Sequence, residues 1–438
     1  MQRILQGILA HLARAVVRRQ RPMIVGITGS VGKTSTREAI RVVLAADRNV
    51  RSAPKNYNNE IGLPTAIIGG RAPGRSPARW VALVARGLAL GAFRELRYPD
   101  ALVLEYGADR PGDIAYLTRI ARPTVGVITA VGPAHTELFR SVERVIAEKR
   151  RLIAALPRDG VAVLNRDSED VYGMRDRTRA RVVTYGFHAE ADIRGVEYQI
   201  TYGDQQPATS RQLQAVGNRV PTGIAFKVVA GGSAVPIHLT GCIGRGHALS
   251  ALAAAAVGVS QGMHLVEIAH ALAAYEPPLG RMRLLEGVKQ TMLIDDTYNA
   301  SPLAVTVALD ALAEVATEGR TFVILGDMLE LGALTEPMHR HVGELVASRA
   351  VASFVTVGEA MRHAANGARG AGMDADRVFE FPDPRAAARF VQDRLAPGDV
   401  VLVKGSQGMR MERAVAELVA EPLRAADLLC RQDAEWLR

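Results

Sequence analysis

Met23-Ile24-Val25-Gly26-Ile27-Thr28-Gly29-Ser30-Val31-Gly32-Lys33-Thr34 is the stretch on which the rest of the reading depends. Met23 to Ile27 is a short apolar run, as expected of a buried strand, and a helical pattern begins near Lys33. Between them the glycines let backbone N–H groups close around phosphate oxygens, so Gly29, Ser30, Val31 and Gly32 form an anion cradle. Lys33 is placed to neutralise the β- and γ-phosphates, and Thr34 to offer a hydroxyl to Mg²⁺. The common pattern G-x-x-x-x-G-K-[ST] wants its first glycine where Ile27 stands, so the loop is a variant. Strand, loop and helix nevertheless agree on a nucleotide-binding P-loop.

Outward from the loop the chain alternates. Ala101 to Leu104, Val125 to Thr129, Val161 to Leu164 and Val182 to Tyr185 read as buried strands, several of them separated by helical patterns. That is the rhythm of a doubly wound, mostly parallel α/β sheet. From about Ile193 to Thr240 it breaks into short strands with Gly, Pro and Asn turns, predicting a small β-rich insertion or edge sheet. A helix of small residues follows at Ala248 to Val259. Beyond Pro277-Pro278-Leu279-Gly280, strands at Met292 to Ile294, Phe322 to Leu325, Phe354 to Val357, Val378 to Phe381 and Val400 to Val403 predict a second α/β unit. The expected organisation is an N-terminal helix over 1–21, a nucleotide-binding domain over 22–277 and a C-terminal α/β domain over 278–438. A chain of 438 residues suits two or three domains.

With 48% hydrophobic and 23% charged residues the chain is neither disordered nor membrane-spanning in composition. Its two cysteines, Cys242 and Cys430, are far apart, which excludes a disulfide framework and fits a reducing cytoplasm. The net charge of +9 suits anionic substrates. No RNA-binding module or basic tract interleaved with aromatics accompanies it, so nucleic acid is not an expected partner.

No acidic residue precedes Glu38. Ile4, Leu5, Ile8, Leu9, Leu12, Val16 and Val17 form an apolar helical stripe among Arg3, Arg14, Arg18 and Arg19. Such a helix either packs on the next domain or lies on an anionic surface, peripheral to the inner membrane. A second apolar stretch, Trp80 to Phe93, is interrupted by Arg86 and is too short to span a bilayer.

Several further motifs occur in a fixed order. They are Asn56-Tyr57-Asn58-Asn59-Glu60-Ile61-Gly62-Leu63-Pro64, Glu105-Tyr106-Gly107-Ala108, His135 through Lys149, Asp295-Asp296-Thr297-Tyr298-Asn299-Ala300-Ser301-Pro302, Gly326-Asp327-Met328-Leu329-Glu330-Leu331-Gly332 and Lys404-Gly405-Ser406. Together with the P-loop they resemble the Mur ligase family, most closely its MurF-type branch, from about Val25 to Met411. The resemblance implies a P-loop ATPase domain followed by a Rossmann-like C-terminal domain, and an ADP-forming ligase using ATP and two Mg²⁺ sites. A carboxylate-bearing precursor would become an acyl-phosphate, then an amide with an amino acid or dipeptide.

Residue by residue, the resemblance implies that Thr34, Glu105 and His135 hold metal and that Lys149 is carbamylated. Glu105 ends a strand, where α/β proteins place ligands, although alone it reads equally as a solvated acid. His135 and Lys149 alone would read as a surface histidine and a solvated helix lysine. Arg281, in Gly280-Arg281-Met282-Arg283, would approach the ATP phosphates, and Asp296, beside the similar Asp295, would face the nucleotide. Ser250 stands where relatives approach the adenine. Asn58, Asn59, Lys404 and Ser406 would reach the substrates, although Lys404 and Ser406 read equally as capping a strand-to-helix turn. The catalytic set is thus Lys33, His135, Lys149 and Arg281, assembled by a hinge near Gly280.

Two departures stand out. MurF-type enzymes carry an N-terminal domain for the UDP-sugar, whereas here the P-loop begins at Gly26 with room for one helix. Another chain, the helix with the Arg71 to Asp100 segment, or a different acceptor would account for this. The family's His-Asn and later Asn appear here as Gly246-His247 and Ser250. Three readings therefore stand: a MurF-like ligase, the same chemistry on another envelope polymer or a folate-like polyglutamyl chain, and a non-catalytic ATP-binding scaffold.

Overall fold

The computed structural model describes residues 2–53, 57–70, 73–74, 76–132, 139, 141–204, 219–315, 317–433 and 436. Among these the strands form two sheets. The first has nine strands: β1 (Met23–Thr28), β2 (Val50–Ser52), β3 (Ala101–Glu105), β4 (Val125–Ile128), β5 (Val161–Asn165), β6 (Arg181–Gly186), β7 (Ile193–Asp204), β8 (Arg219–Ala230) and β9 (Ser233–Thr240). Their order is β2-β3-β1-β4-β5-β6-β7-β8-β9, parallel as far as the β6–β7 pair and antiparallel beyond it.

Both faces of this sheet are apolar, and alternation along each strand divides them. Ile24, Leu102, Leu104 and Ile128 turn to one face. There they meet α1 (Gln2–Gln20), α3 (Gly62–Ile68), α4 (Pro77–Ala92), α5 (Asp113–Ile120) and α6 (Val142–Ala154). Val25, Ile27, Val103 and Val127 turn to the other, against α2 (Lys33–Ala45), α7 (Arg245–Ser260) and α8 (Leu265–Leu272). A strand buried on both sides reads as a continuous apolar run, which is why these strands were visible in the sequence.

The second sheet has six strands: β10 (Arg283–Gly287), β11 (Thr291–Asp296), β12 (Thr321–Gly326), β13 (Ser353–Val357), β14 (Val378–Phe381) and β15 (Val400–Lys404), in the order β10-β11-β15-β12-β13-β14. One face packs on α9 (Pro302–Ala313), α10 (Thr335–Ala347) and α11 (Met361–Gly370), the other on α12 (Pro384–Arg394) and α13 (Glu412–Leu418). The mixed α/β class with largely parallel sheets is the one expected.

Three details differ from the sequence reading. The β-rich segment is not a set of short strands: β7 and β8 are each 12 residues long and extend the main sheet as its antiparallel edge. Register shifts at Val196/Gln199 and Thr201/Tyr202 absorb the residues that looked like breaks. Pro236 is tolerated because β9 is an edge strand. The short β2 and the antiparallel β10 were not foreseen.

The N-terminal helix packs on its own domain, burying Leu9, Leu12, Ala13 and Val16. It lies close against α4, where a Cβ added at Gly87 or Gly91 would stand 3.2 Å from Leu12 or 3.1 Å from Ala15. Among the described residues no helix is long and apolar enough to cross a membrane. His135, Asn56 and Arg71, named in the sequence reading, lie outside the described residues.

Candidate active site

The P-loop leaves β1 at the centre of its sheet, where the order reverses between β3 and β4, the position at which open α/β sheets bind ligands. Gly29 (φ 155) lies where a Cβ would collide with the Thr129 hydroxyl, and Gly32 (φ 87) caps α2 in the left-handed region, so both positions need glycine. The loop is tied to the end of β4. Ser30 N–H donates to Ala130 O at 2.6 Å, Ser30 Oγ to Gly132 O at 3.1 Å, and Thr129 Oγ1 to Val31 O at 2.6 Å. Lys33 Nζ donates to Gly29 O at 2.7 Å, and burial pulls its pKa down against the opposing pull of Glu105.

Glu105 ends β3 fully buried. Its Oε1 lies 3.0 Å from Arg37 Nη1 without hydrogen-bond alignment. Lys149 is brought to the same region by its neighbour: Glu148 accepts N–H donors from Gly112 at 2.9 Å and Ile114 at 2.8 Å, capping α5 and fixing α6. Lys149 is 4% exposed, and burial, reinforced by Lys33, lowers its pKa to about 7 against Asp109 and Glu148.

The second sheet contributes the facing wall. The Arg281 guanidinium stacks on Tyr298, 4.1 Å from the ring centroid. Lys404 Nζ donates to Asp296 Oδ2 at 2.6 Å and to Asn299 O at 2.7 Å, burial lowering its pKa against the pull of Asp296. Ser406 Oγ accepts from Leu329 N–H at 2.9 Å, and buried His339 accepts from Met328 N–H at 3.0 Å, which holds the 327–331 loop in place.

The linker is pinned by His247. Its Nε2 meets Arg281 O at 2.9 Å and its Nδ1 meets Tyr275 Oη at 2.8 Å. A carbonyl only accepts, so Nε2 carries the proton and Nδ1 accepts from the tyrosine. Burial lowers the His247 pKa to about 4, which keeps this neutral tautomer.

Two adjoining cavities result. The larger, 310 Å³, is lined by Ser30, Lys33, Thr34 and Glu105 from one sheet and by Asn299 and Ser406, among others, from the second. Gly32, Asn58 and Arg281 also border it. The smaller, 70 Å³, shares Gly32, Thr34 and Arg281, and adds Val31, Asp296 and Lys404. Most of the residues singled out from sequence thus converge here.

Two do not. The Asn59 carboxamide oxygen accepts from Gly62 N–H at 2.8 Å and holds the start of α3. The Ser250 hydroxyl, buried between α2 and α7, donates to Gly246 O at 2.8 Å and borders neither cavity. Asp295 is buried apart from Asp296; its Oδ1 accepts from Thr297 Oγ1 at 2.6 Å. Sequence reasoning gave no role to Asp109, Tyr298, Glu330 or His247 at this site. Tyr298 and Glu330 sat inside motifs already quoted, whereas nothing local marks Asp109.

The geometry invites comparison with known proteins. Two family models match: the Mur ligase middle domain over residues 88–258 and the Mur ligase glutamate ligase domain over 280–407. UDP-N-acetylmuramoyl-tripeptide–D-alanyl-D-alanine ligase of Mycobacterium leprae is 33% identical, over 94% of this chain and 77% of the relative. The Bacillus subtilis enzyme of the same name is 28% identical, over 95% and 80%. The crystal structure of MurF from Thermotoga maritima in complex with ADP superposes with a TM-score of 0.75 at 26% identity, covering 94% of this chain and 83% of that one.

Proposed function

The chain belongs to the Mur ligase family, and from that premise we propose that it joins the carboxylate of a UDP-muramoyl-tripeptide to the amine of D-alanyl-D-alanine, converting ATP to ADP. The observation that carries this reading is the 310 Å³ cavity lined from both sheets. Stepwise ligation needs such a shared space, because phosphoryl donor, carboxylate and amine must meet at one place in turn.

Lys33 and Arg281 bring positive charge to that cavity from opposite walls. They bracket the transferring γ-phosphoryl group while the carboxylate oxygen attacks it and ADP departs. The amine then adds to the acyl-phosphate carbonyl, loses a proton and expels phosphate. The Thr34 hydroxyl and the Glu105 carboxylate are hard oxygen donors bordering the same space, and the unaligned Glu105 Oε1 fits a Mg²⁺ ligand. When bound, the metal neutralises phosphate charge.

Lys149 takes a carbamate in this reading. Its buried amine, held near neutrality, adds to CO₂ with loss of one proton and becomes an anion beside Lys33. In this reading the two sheets close on each other to assemble the site. Gly280, with φ 69, is the natural hinge.

The test is ADP release by the purified chain with Mg²⁺ and ATP. Turnover should require both UDP-muramoyl-tripeptide and D-alanyl-D-alanine and should rise with added bicarbonate. Turnover with a different acceptor instead would overturn the substrate assignment, and ATP binding without turnover on any acceptor would overturn the enzyme.

A further inference from the structure

The helix pair α1 and α4 presents an outer face that the ligase chemistry does not use. Helix α4 turns Leu83, Gly87 and Leu90 inward, while Val81, Ala85, Leu88 and Ala92 face solvent. Those four lie at spacings of four, three and four residues, the stripe a helix normally hides against a core. Of the nine large apolar side chains exposed among the described residues, six belong to this pair and the turn after it: Ile4, Ile8, Val81, Leu88, Phe93 and Leu96. Phe93 is 73% exposed and Leu96 fully so. Concentration of this kind marks a docking surface, since scattered exposed apolar residues would need no explanation.

The charge around the stripe indicates the partner. Arg14, Arg18 and Arg19 on α1, Arg79 and Arg86 on α4, and Arg94 and Arg97 in the turn are exposed. The same segments hold one acid, Glu95, which lies 3.7 Å from Arg86. Beside α1 a groove of 430 Å³ is lined by His11, Arg14, Arg18, Arg119 and Arg122, a basic recess suited to a phosphate headgroup. Gln20 fixes the two helices together: its Nε2 donates to Leu90 O at 2.6 Å and to Phe93 O at 2.7 Å, and its Oε1 accepts from Glu95 N–H at 3.0 Å. The apolar residues and the arginines are therefore held on one rigid layer.

We infer that this layer docks on the surface of an anionic lipid bilayer, with the apolar side chains in the acyl boundary and the arginines against lipid phosphates. A neutral apolar partner would be served by the stripe alone, whereas an anionic interface also uses the arginine surround. The inference does not depend on which acceptor the ligase uses.

The experiment is co-sedimentation of the full chain with vesicles of phosphatidylcholine alone or mixed with phosphatidylglycerol. The bound fraction should be at least tenfold higher with phosphatidylglycerol and should fall as salt rises, since about 1 M salt shortens the screening length to about 3 Å. Leu88→Glu with Phe93→Ser, and separately Arg14→Glu with Arg18→Glu, should each abolish binding while the circular dichroism spectrum and the thermal midpoint stay unchanged. Equal binding to both vesicles, or binding to neither, overturns the inference. So does a dimer in light scattering that Leu88→Glu dissociates without any vesicle binding, because a second copy would then cover the face.

Discussion

Lys33, half-buried at the cavity wall, and the buried Lys149 lie within electrostatic reach of each other, and desolvation is the chief cause of the lowered pKa of each. In the proposed mechanism Lys33 acts only once phosphate arrives, so Lys33→Ala should cut kcat by about 10²–10³, the effect of losing one preorganised transition-state contact. Circular dichroism should show an intact fold. Glu148 acts differently: it caps α5 through two N–H groups and touches no cavity residue directly. Glu148→Ala strands those donors and should cost about 3 kcal/mol in a denaturant titration, where a surface substitution would cost almost nothing. Lys33 was legible because its role follows from chain-local spacing. Glu148 and Asp109 were not, because their meaning depends on which helix end or lysine the fold brings against them.

At the scale of elements, the strands buried on both faces announced themselves as apolar runs, whereas β10 did not. Its alternating Leu285 and Glu286 make sense only once its ladder partner, β11, is known. The linker is similar. His247 replaces an expected asparagine, and its function appears only where α7, Tyr275 and the Arg281 carbonyl meet. Because the folded His247 pKa is near 4 against an ordinary 6.5, the unfolded chain binds its proton first as pH falls. The stability this residue contributes is complete above pH 6.5 and is lost on descending towards pH 4, by about 2–3 kcal/mol at pH 4.5. Asp295, raised by burial to about 6, has the opposite trend and gains stability at low pH. Only a difference measurement separates them: His247→Gln, which keeps both hydrogen bonds, should lose about 2–3 kcal/mol less than the parent chain between pH 7 and 4.5. Parallel pH profiles would refute the assignment.

For the whole molecule, the essential feature is that the carboxyl ends of two sheets face a shared cavity. Gly280 holds a left-handed conformation, and a Cβ there would stand 2.9 Å from Tyr298 N. Gly280→Ala should therefore lower kcat about tenfold while leaving ATP affinity within about twofold, a split that burst kinetics can resolve. The central claim is that a carboxylate takes phosphate from ATP before the amide forms. It is tested most directly by supplying UDP-muramoyl-tripeptide labelled with ¹⁸O in its acceptor carboxylate, together with ATP and D-alanyl-D-alanine, and weighing the released phosphate. One ¹⁸O carried into each phosphate is the predicted result; unlabelled phosphate beside the amide product would contradict it.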